Sequence, residues 1–315
     1  MSIRRARLKS LAKINLDLRV LHKRSDGFHE LRTVFQTISL ADTIDIEYQP
    51  ARRTELLLDD PLAIPDNLVL RAARAVLHDL RIHARVSFRL RKQIPMGGGL
   101  GGGSSNAATV LLALPALAGK PIPLGRLHEI AAELGSDVPF FLLGGTAVGI
   151  GRGTELYPLR DVTPEPILIV SSGLHVATGP AYQALGRGLT VEDWSSKING
   201  FQAFVQALGG GRSAKAAMSF SANDFEAVVF RQYPQLKTIA LRLSKHGAVR
   251  MTGSGSALVG VFDSREQRDR AKEVFEKEYL VKAAALVDRS SYQRLWRRQS
   301  NLSTDLWPPH SRYAR

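Results

Sequence analysis

Residues 95–105 read PMGGGLGGGSS, and six of these eleven residues are glycine. A backbone without Cβ atoms can approach an anion closely and turn successive N–H groups towards it. The alternating segment 86–90 predicts a strand before this run, and residues 104–117 predict a helix after it that Pro115 interrupts. A helix N-terminus adds free N–H groups and the positive end of its dipole. The order strand, glycine run, helix therefore predicts a phosphate-binding loop.

Three better-known glycine-rich motifs do not fit this run. Gly97, Gly99 and Gly102 match the dinucleotide pattern, but that pattern needs an acidic residue about twenty positions further on. No Asp or Glu occurs from 103 to 128. The NTPase loop needs a lysine where the chain has Ser104, and a protein kinase would also carry HRD and DFG sequences, which the chain lacks. These differences exclude a dinucleotide-binding dehydrogenase, a P-loop NTPase and a protein kinase.

The composition is that of an ordinary globular protein apart from its charge. The 315 residues are 44% hydrophobic and allow two modest domains, and the absence of cysteine excludes disulfides, thiolate metal sites and a cysteine nucleophile. The net charge of +14 is concentrated near the N-terminus and after residue 289, as in solvated chain ends. No apolar run could span a bilayer, and the first residues do not resemble a secretory signal. We expect a cytoplasmic protein, monomeric or a weak homodimer, without a membrane or nucleic-acid partner.

Apolar periodicity predicts strands and helices without strict βαβ alternation, which favours the α+β class. Predicted strands cover 14–20, 43–48, 146–150 and 165–170, and predicted helices cover 66–80, 124–134, 191–208 and 225–243. Asp66 or Asn67 is suited to cap the helix at 66–80. Residues 247–262 predict a strand, a glycine turn and a second strand. The proline-bearing stretch 156–166 is the expected boundary, which gives domains 1–160 and 161–290 and a basic extension 291–315.

The run PMGGGLGGGSSNAA resembles the second signature motif of the GHMP kinases, in which it wraps the phosphates of ATP. The resemblance extends through residues 12–44, 66–73, 135–153 and 223–226, and through the third motif, MTGSGSALVGVF, at 251–262. It implies a two-domain α+β fold with the active site in the interdomain cleft, and ATP and Mg²⁺ as cofactors. It leaves the metal ligands unassigned and places the GSGS turn at 253–256 over the phosphates. The implied ATP-binding residues are Asn67, in the adenine pocket, and Pro95, Met96, Gly97, Gly98, Gly99, Leu100, Gly101, Gly102, Gly103, Ser104 and Ser105.

The resemblance implies transfer of the γ-phosphoryl group of ATP to an alcohol. Segment 12–44 points to a family member that acts on the 2-hydroxyl of a cytidylyl sugar alcohol in isoprenoid-precursor synthesis. Asp137 is implied to be the general base, with Lys13 beside it to stabilise the transferring phosphoryl group. Taken singly, Asp137 could be a turn residue before Pro139 and Lys13 a solvated strand residue, so the family context carries both assignments. Asn15 shares a strand face with Lys13 and can reach the same substrate pocket.

The resemblance also implies an aromatic site for cytosine. Phe28 would stack on the base, His29 would contact its polar edge, and Tyr182 would supply the opposing ring. Phe28 stands where the family usually has tyrosine, a change that keeps the stacking area and loses at most one hydrogen bond, about 0.5–1.5 kcal/mol. The chain departs from the family pattern at two further places. Leu11 stands where the family usually has proline, and Thr154 and Glu155 alter the GxGE region. Neither departure removes a group that the chemistry needs.

Two other functions stay open. Another GHMP kinase, of the homoserine or mevalonate type, would act on an alcohol without a nucleotide and would not depend on cytidine. A non-catalytic, basic nucleic-acid-binding protein would bind RNA or DNA in a salt-sensitive manner without ATP turnover. Lys13 and Asp137 weigh against this second alternative. Trp296 and Trp307 lie outside the resemblance and could pack on the body, pair subunits or contact nucleic acid.

Overall fold

A computed structural model describes residues 3–185 and 194–300, with only the backbone of 297–300. The larger of its two sheets has the strand order β3-β4-β2-β5-β6, with β1 paired along β2. Its strands are β1 (Arg4–Lys23), β2 (His29–Pro50), β3 (Glu55–Asp59), β4 (Ala84–Arg91), β5 (Thr146–Gly151) and β6 (Glu155–Pro158). The strands predicted at 14–20, 43–48 and 146–150 lie within β1, β2 and β5, as expected. The sequence did not predict β3, β6 or the first half of β2.

The pairing of β1 with β2 is irregular around Lys13. Lys13 pairs with Thr37 and Asn15 pairs with Phe35, and a register shift lies on either side of this stretch. Such bulges bend a strand and re-aim its side chains. Every residue from 10 to 18 is buried, so this part of β1 is covered on both faces instead of alternating between core and solvent.

Four helices accompany the larger sheet among the described residues: α1 (Leu68–Asp79), α2 (Gly102–Ala118), α3 (Leu124–Leu134) and α4 (Phe140–Leu143). Asn67 caps α1 by accepting a hydrogen bond from the Val69 N–H, as predicted for one of two candidates. The prediction that Pro115 interrupts α2 was wrong. Pro115 lies in the last turn, where its missing N–H costs one hydrogen bond, and the helix continues to a left-handed Gly119.

The smaller sheet is antiparallel with the order β10-β7-β9-β8. Its strands are β7 (Pro166–Ser171), β8 (Ala248–Met251), β9 (Leu258–Val261) and β10 (Leu280–Ala285). Around it lie α5 (Thr178–Ala184), α6 (Trp194–Gly209), α7 (Ala214–Ala217), a 3₁₀ turn (Met218–Phe220), α8 (Phe225–Gln232), α9 (Pro234–Leu243) and α10 (Arg265–Phe275). The two sheets and their helices confirm the predicted α+β class.

Two of the predicted helices in the second half need correction or qualification. The helix predicted at 225–243 is two helices, because Pro234 begins α9 and has no N–H with which to continue α8. Of the helix predicted at 191–208, residues 191–193 lie outside the described part, and the remainder belongs to α6.

The last described helix, α11 (Arg289–Ser300), returns to the first half of the chain. The Tyr292 hydroxyl donates to the Phe141 carbonyl oxygen at 2.6 Å, and Arg289 donates to backbone carbonyls that include Gly144. Trp296 is only 3% exposed and belongs to the hydrophobic core of the larger sheet. Of the three possibilities for Trp296, the structure shows packing on the body. Trp307 lies outside the described residues.

We expect the Trp296→Ala substitution to lower the free energy of unfolding by about 3–5 kcal/mol, because it removes a buried indole and leaves a cavity. Urea denaturation followed by circular dichroism measures this change. Tyr157→Ala is the matched control, since Tyr157 is an aromatic residue that is 51% exposed. Its cost should stay within about 0.5 kcal/mol. Equal costs for the two variants would contradict the docking of α11.

Candidate active site

The residues predicted to be catalytic meet in the structure. The Lys13 Nζ lies 3.3 Å from Asp137 Oδ2, donates to Asn15 Oδ1 at 2.8 Å, and stands 5.2 Å from the centroid of the Phe35 ring. The Lys13 side chain is 4% exposed, whereas that of Asp137 is 34% exposed. A buried ammonium needs such partners to offset its lost hydration. In this pair the Lys13 ammonium is therefore buried in the protein, and the Asp137 carboxylate is partly exposed.

Asp137 lies in the turn between α3 and α4, which the Val138 N–H closes by donating to the Gly135 carbonyl oxygen at 3.1 Å. Lys13 comes from β1, where the adjacent bulges turn it inward. The turn position considered for Asp137 from sequence is thus observed, and the same turn presents its carboxylate to Lys13. Asp137 is therefore both a turn residue and a residue of the candidate active site.

The glycine run forms a tight loop between β4 and α2. Gly99 and Gly101 adopt φ values of +73° and +68°. A Cβ at Gly99 would lie 2.2 Å from the Thr252 carbonyl oxygen, and one at Gly101 would lie 3.1 Å from the Lys13 Cγ. Gly101 caps α2 without a side-chain hydrogen bond, and no acidic residue occupies the first turn. The free N–H groups of this helix start are consequently available to an anion.

The two serines of the loop differ in what their hydroxyls do. Ser104 lines the same cavity as Asp137. Ser105 is 1% exposed, and its hydroxyl donates to the Leu11 carbonyl oxygen at 2.6 Å and accepts from Ser10 at 2.9 Å. One residue further along a helix points a side chain about 100° away. The Ser105 hydroxyl therefore anchors α2 to β1 in this structure.

A cavity of about 810 Å³ extends from Asp137 to the predicted cytosine-binding residues. Its lining includes Phe28, His29 and Tyr182 together with Ser104 and Asp137. The rings of His29 and Tyr182 stack with centroids 4.5 Å apart. The Arg152 guanidinium lies over the Phe28 ring, 4.7 Å from the ring centroid. The three predicted residues thus share one cavity, with Tyr182 stacked on His29 instead of directly facing Phe28.

Two predicted ligands have their polar groups engaged within the protein. Asn15 is 5% exposed, its Oδ1 accepts from Lys13 and from the Gly253 N–H, and its Nδ2 donates to the Thr33 hydroxyl. Asn67 caps α1, donates to Asp60, and lines a second cavity of about 480 Å³. The structure therefore gives Asn15 structural contacts that the sequence did not specify, and it gives Asn67 a contact with Asp60 beyond the predicted capping role.

Two cations of the large cavity, Lys23 and Arg152, were not identified from the sequence. Among the described residues neither one forms a salt bridge, and the single carboxylate in the lining, Asp137, is paired with Lys13. Nothing in the local sequence distinguishes these two cations from the many others of a chain with 43 Lys and Arg residues. Only the three-dimensional arrangement shows which cations of the described residues line the cavity without a salt bridge.

A third residue that the sequence did not identify lies beneath the loop. Asp42 is fully buried, and its Oδ1 accepts from the N–H groups of Gln93 and Ile94 at 2.7 and 2.9 Å, where β4 ends. Its Oδ2 accepts from the Lys92 ammonium and from Asn106 in α2. This carboxylate therefore joins the strand before the loop to the helix after it.

The environment of His29 favours its uncharged form. Partial burial is the main cause that lowers the pKa of this imidazole, and electrostatic interactions with Lys23 and His22 lower it further. Burial also raises the pKa of the Tyr182 phenol. Both rings therefore present neutral donors and acceptors to the cavity at neutral pH.

The described residues contain no group of three or more His, Asp or Glu side chains that could hold a metal ion. Within the described ranges, 3–185 and 194–300, no helix combines the length and the apolar character needed to cross a bilayer.

Comparison with known proteins assigns the class. Residues 67–145 match the model of the GHMP kinases N terminal domain, and residues 204–281 match that of the GHMP kinases C terminal domain. A homoserine kinase from Cytophaga hutchinsonii superposes with a TM-score of 0.71 at 15% identity, covering 91% of this chain and 96% of that one, which shows a shared fold. The chain is a GHMP kinase.

Nearer relatives narrow this class. The chain is 53% identical, over 98% of both chains, to the 4-diphosphocytidyl-2-C-methyl-D-erythritol kinase of Solibacter usitatus. The corresponding protein of Syntrophus aciditrophicus is 37% identical over 86% of this chain and 95% of its own. A crystal structure of a kinase of the same name superposes with a TM-score of 0.72 at 36% identity, covering 89% of this chain and 98% of the other. The chain belongs to the 4-diphosphocytidyl-2-C-methyl-D-erythritol kinase family.

We expect Lys23→Gln to raise the pKa of His29, because the substitution removes one of the positive charges that disfavour imidazolium formation. An NMR titration of the histidine ring protons measures the pKa in both proteins. The matched control is Arg24→Gln, since Arg24 is already paired with Asp26 and Glu30 and its charge is largely offset. Its effect on His29 should be smaller. An unchanged or lowered His29 pKa in Lys23→Gln would contradict this account.

Proposed function

We propose that this chain transfers the γ-phosphoryl group of ATP to the 2-hydroxyl of 4-diphosphocytidyl-2-C-methyl-D-erythritol, giving the 2-phosphate and ADP, in the non-mevalonate route to isoprenoid precursors. One observation carries the proposal. Asp137, which lies 3.3 Å from the buried Lys13 ammonium, lines a cavity that also has Ser104 of the glycine loop and the rings of Phe28, His29 and Tyr182 in its lining. The family membership supplies the substrate.

In the proposed reaction, Asp137 accepts the proton of the substrate 2-hydroxyl as its oxygen forms a bond to the γ-phosphorus. The bond between that phosphorus and the bridging oxygen of ADP breaks, and the released charge stays on the β-phosphate of ADP. Lys13 stabilises the charge on the equatorial oxygens of the transferring group. Because Lys13 is held by three neighbours, little reorganisation accompanies the reaction.

For ATP we propose the glycine loop as the phosphate site. The N-terminus of α2 and the left-handed turns at Gly99 and Gly101 provide N–H groups for the phosphates. The second cavity, beside Asn67, lies near the loop, because a Cβ at Gly103 would lie 3.7 Å from the side chain of Leu68, the residue after Asn67. We propose that this cavity holds the adenine end of ATP.

The residues at the loop are compatible with Mg²⁺. This ion keeps several waters, takes most of its other ligands from ATP phosphates, and needs only one or two protein oxygens. Ser104 and Asp137 line the cavity and offer such oxygens. When bound, the ion would neutralise phosphate charge during the transfer.

The substrate end of the cavity fits an anionic pyrimidine nucleotide. Phe28, His29 and Tyr182 offer flat aromatic faces and neutral ring polar atoms, which suit cytosine. Lys23 and Arg152 add two positive charges that form no salt bridge among the described residues, and a cytidylyl diphosphate carries two negative charges. Homoserine and mevalonate lack both features. We further propose that the enzyme works in the cytoplasm as a monomer or a weak homodimer, since the described chain itself supplies all these groups.

The decisive assay measures ADP release with ATP, Mg²⁺ and the cytidylyl substrate, beside mevalonate and homoserine. Turnover should depend on the cytidylyl substrate, and Asp137→Asn should lower kcat by about 10²–10⁴-fold, the usual contribution of a general base. Glu133→Gln is the matched control, an exposed carboxylate four residues earlier whose loss should leave kcat unchanged. Turnover of another alcohol alone would refute the substrate. Full activity of Asp137→Asn would refute the base.

The substrate end has its own test. Arg152→Gln should raise the KM for the cytidylyl substrate about tenfold, because a charge-assisted hydrogen bond to the diphosphate is lost. The KM for ATP should not change. Arg160→Gln is the control, since Arg160 is exposed on the same segment and does not line the cavity. An increase in the KM for ATP alone, or equal effects of both substitutions, would contradict this role.

A further inference from the structure

The peptide groups of Gly253 are held from two sides by asparagine side chains. Its N–H donates to Asn15 Oδ1 at 3.0 Å, and its carbonyl oxygen accepts from Asn223 Nδ2 at 2.8 Å. The same Asn223 amide also donates to the Met251 carbonyl oxygen at 2.7 Å. Both asparagines are buried, with exposures of 5% for Asn15 and 4% for Asn223.

This clamped turn packs directly on the glycine loop. A Cβ at Gly253 would lie 2.9 Å from the Gly99 Cα, and a Cβ at Gly99 would lie 2.2 Å from the Thr252 carbonyl oxygen. No side chain separates the two backbones at this point. The conformation of the turn therefore limits the conformation of the phosphate-binding loop.

The turn is also linked to the catalytic lysine. Asn15 Oδ1, which accepts from Gly253, accepts from the Lys13 ammonium as well. One oxygen atom thus receives hydrogen bonds from the turn and from the residue beside Asp137. A rotation of the Gly253 peptide would remove one of these bonds and free Asn15 to move.

Asn223 reaches this position because its segment docks on β1. The Leu18 N–H donates to the Ala222 carbonyl oxygen at 2.8 Å, and the Asp224 N–H donates to the Leu18 carbonyl oxygen at 3.0 Å. The strand that carries Lys13 and Asn15 therefore also carries the anchor for Asn223. Glu226 holds the other side of the turn by accepting from the Met251 N–H at 2.8 Å.

We propose that Asn223 is a positioning residue for the kinase reaction. Its two donated hydrogen bonds hold the Gly253 turn against the glycine loop, and through Gly253 and Asn15 they keep Lys13 aligned with Asp137. Asn223 acts on ATP binding and on phosphoryl transfer through these neighbours, and it does not contact the alcohol substrate. The link to catalysis rests on the proposed function, whereas the link to nucleotide binding depends only on the glycine loop.

The test uses Asn223→Asp, which separates two roles of the side chain. Asn223 Oδ1 accepts from the Phe225 N–H at 3.0 Å at the start of α8, a bond that a carboxylate keeps. The carboxylate cannot make the two donated bonds and faces two carbonyl oxygens instead. The melting temperature, the affinity for ADP by calorimetry, and kcat with both KM values are measured for the full chain.

We expect Asn223→Asp to weaken ADP binding and to raise the KM for ATP about tenfold or more, with a lower kcat and an unchanged KM for the cytidylyl substrate. Wild-type ADP affinity, KM and kcat in this variant would overturn the proposal and leave only a helix-start role. A proportional loss in both KM values would also overturn it, since general loosening of the structure has that effect. If Asn223→Asp does not fold, Asn223→Ala removes the same donors without adding charge.

Glu165→Gln supplies the matched control. Glu165 is a buried side chain that accepts from the N–H groups of Ala214 and Lys215 and has no contact with the loop or the turn. This variant should lower the melting temperature without changing ADP affinity, and an equal loss of affinity would count against the proposal. If the wild-type protein bound ADP but did not phosphorylate the cytidylyl substrate, the proposed function would fail. The ADP affinity of the Asn223 variants would still decide the role of Asn223.

Discussion

The burial of the Lys13 ammonium is the constraint on which the active site depends. A cation that is almost fully removed from water must be surrounded by acceptors and polarisable groups, and here these are Asp137, Asn15 and the face of Phe35. They come from a turn after α3, from β1 itself and from β2. The bulges in β1 turn Lys13 towards all three. Removing any of these neighbours would therefore affect both the stability of the site and the position of the Lys13 ammonium.

The same constraint helps to explain the composition of the glycine loop. Gly101 lies against the stem of Lys13, and Gly99 lies against the backbone of Thr252 in the third motif. At both positions the space that a side chain would need is already occupied by groups required for the site. The absence of Cβ atoms thus serves packing between the two halves of the chain as much as the approach of a phosphate. A phosphate site assembled in this way can form only when both halves are folded and in contact.

The sequence predicted features that depend on local pattern, and it missed those that depend on distant contacts. Strand periodicity located β1 and placed Lys13 and Asn15 on one face, and the motif identified the loop and Asp137. The same motif could not show that the hydroxyl of Ser105 turns away to Leu11, since this follows from the rotation of α2 against β1. Helix propensity likewise could not show that α11 returns to α4, or that Lys23 and Arg152 line the same cavity, because these facts involve residues more than a hundred positions apart.

Electrostatics link the two parts of the proposed substrate site. Partial burial and, after it, the charge of Lys23 lower the pKa of His29 and so keep the imidazole neutral for its proposed contact with cytosine. The same ammonium has no acidic partner among the described residues and can neutralise a phosphate of the substrate. A bound diphosphate would offset the positive charge of Lys23 and thereby relieve part of its repulsion of a protonated His29. Because such coupling is reciprocal, protonation of His29 would in turn strengthen binding of the diphosphate while it weakens recognition of the base. A substrate that carries a neutral base and a charged diphosphate on one molecule would therefore match both the aromatic part and the cationic part of the proposed site.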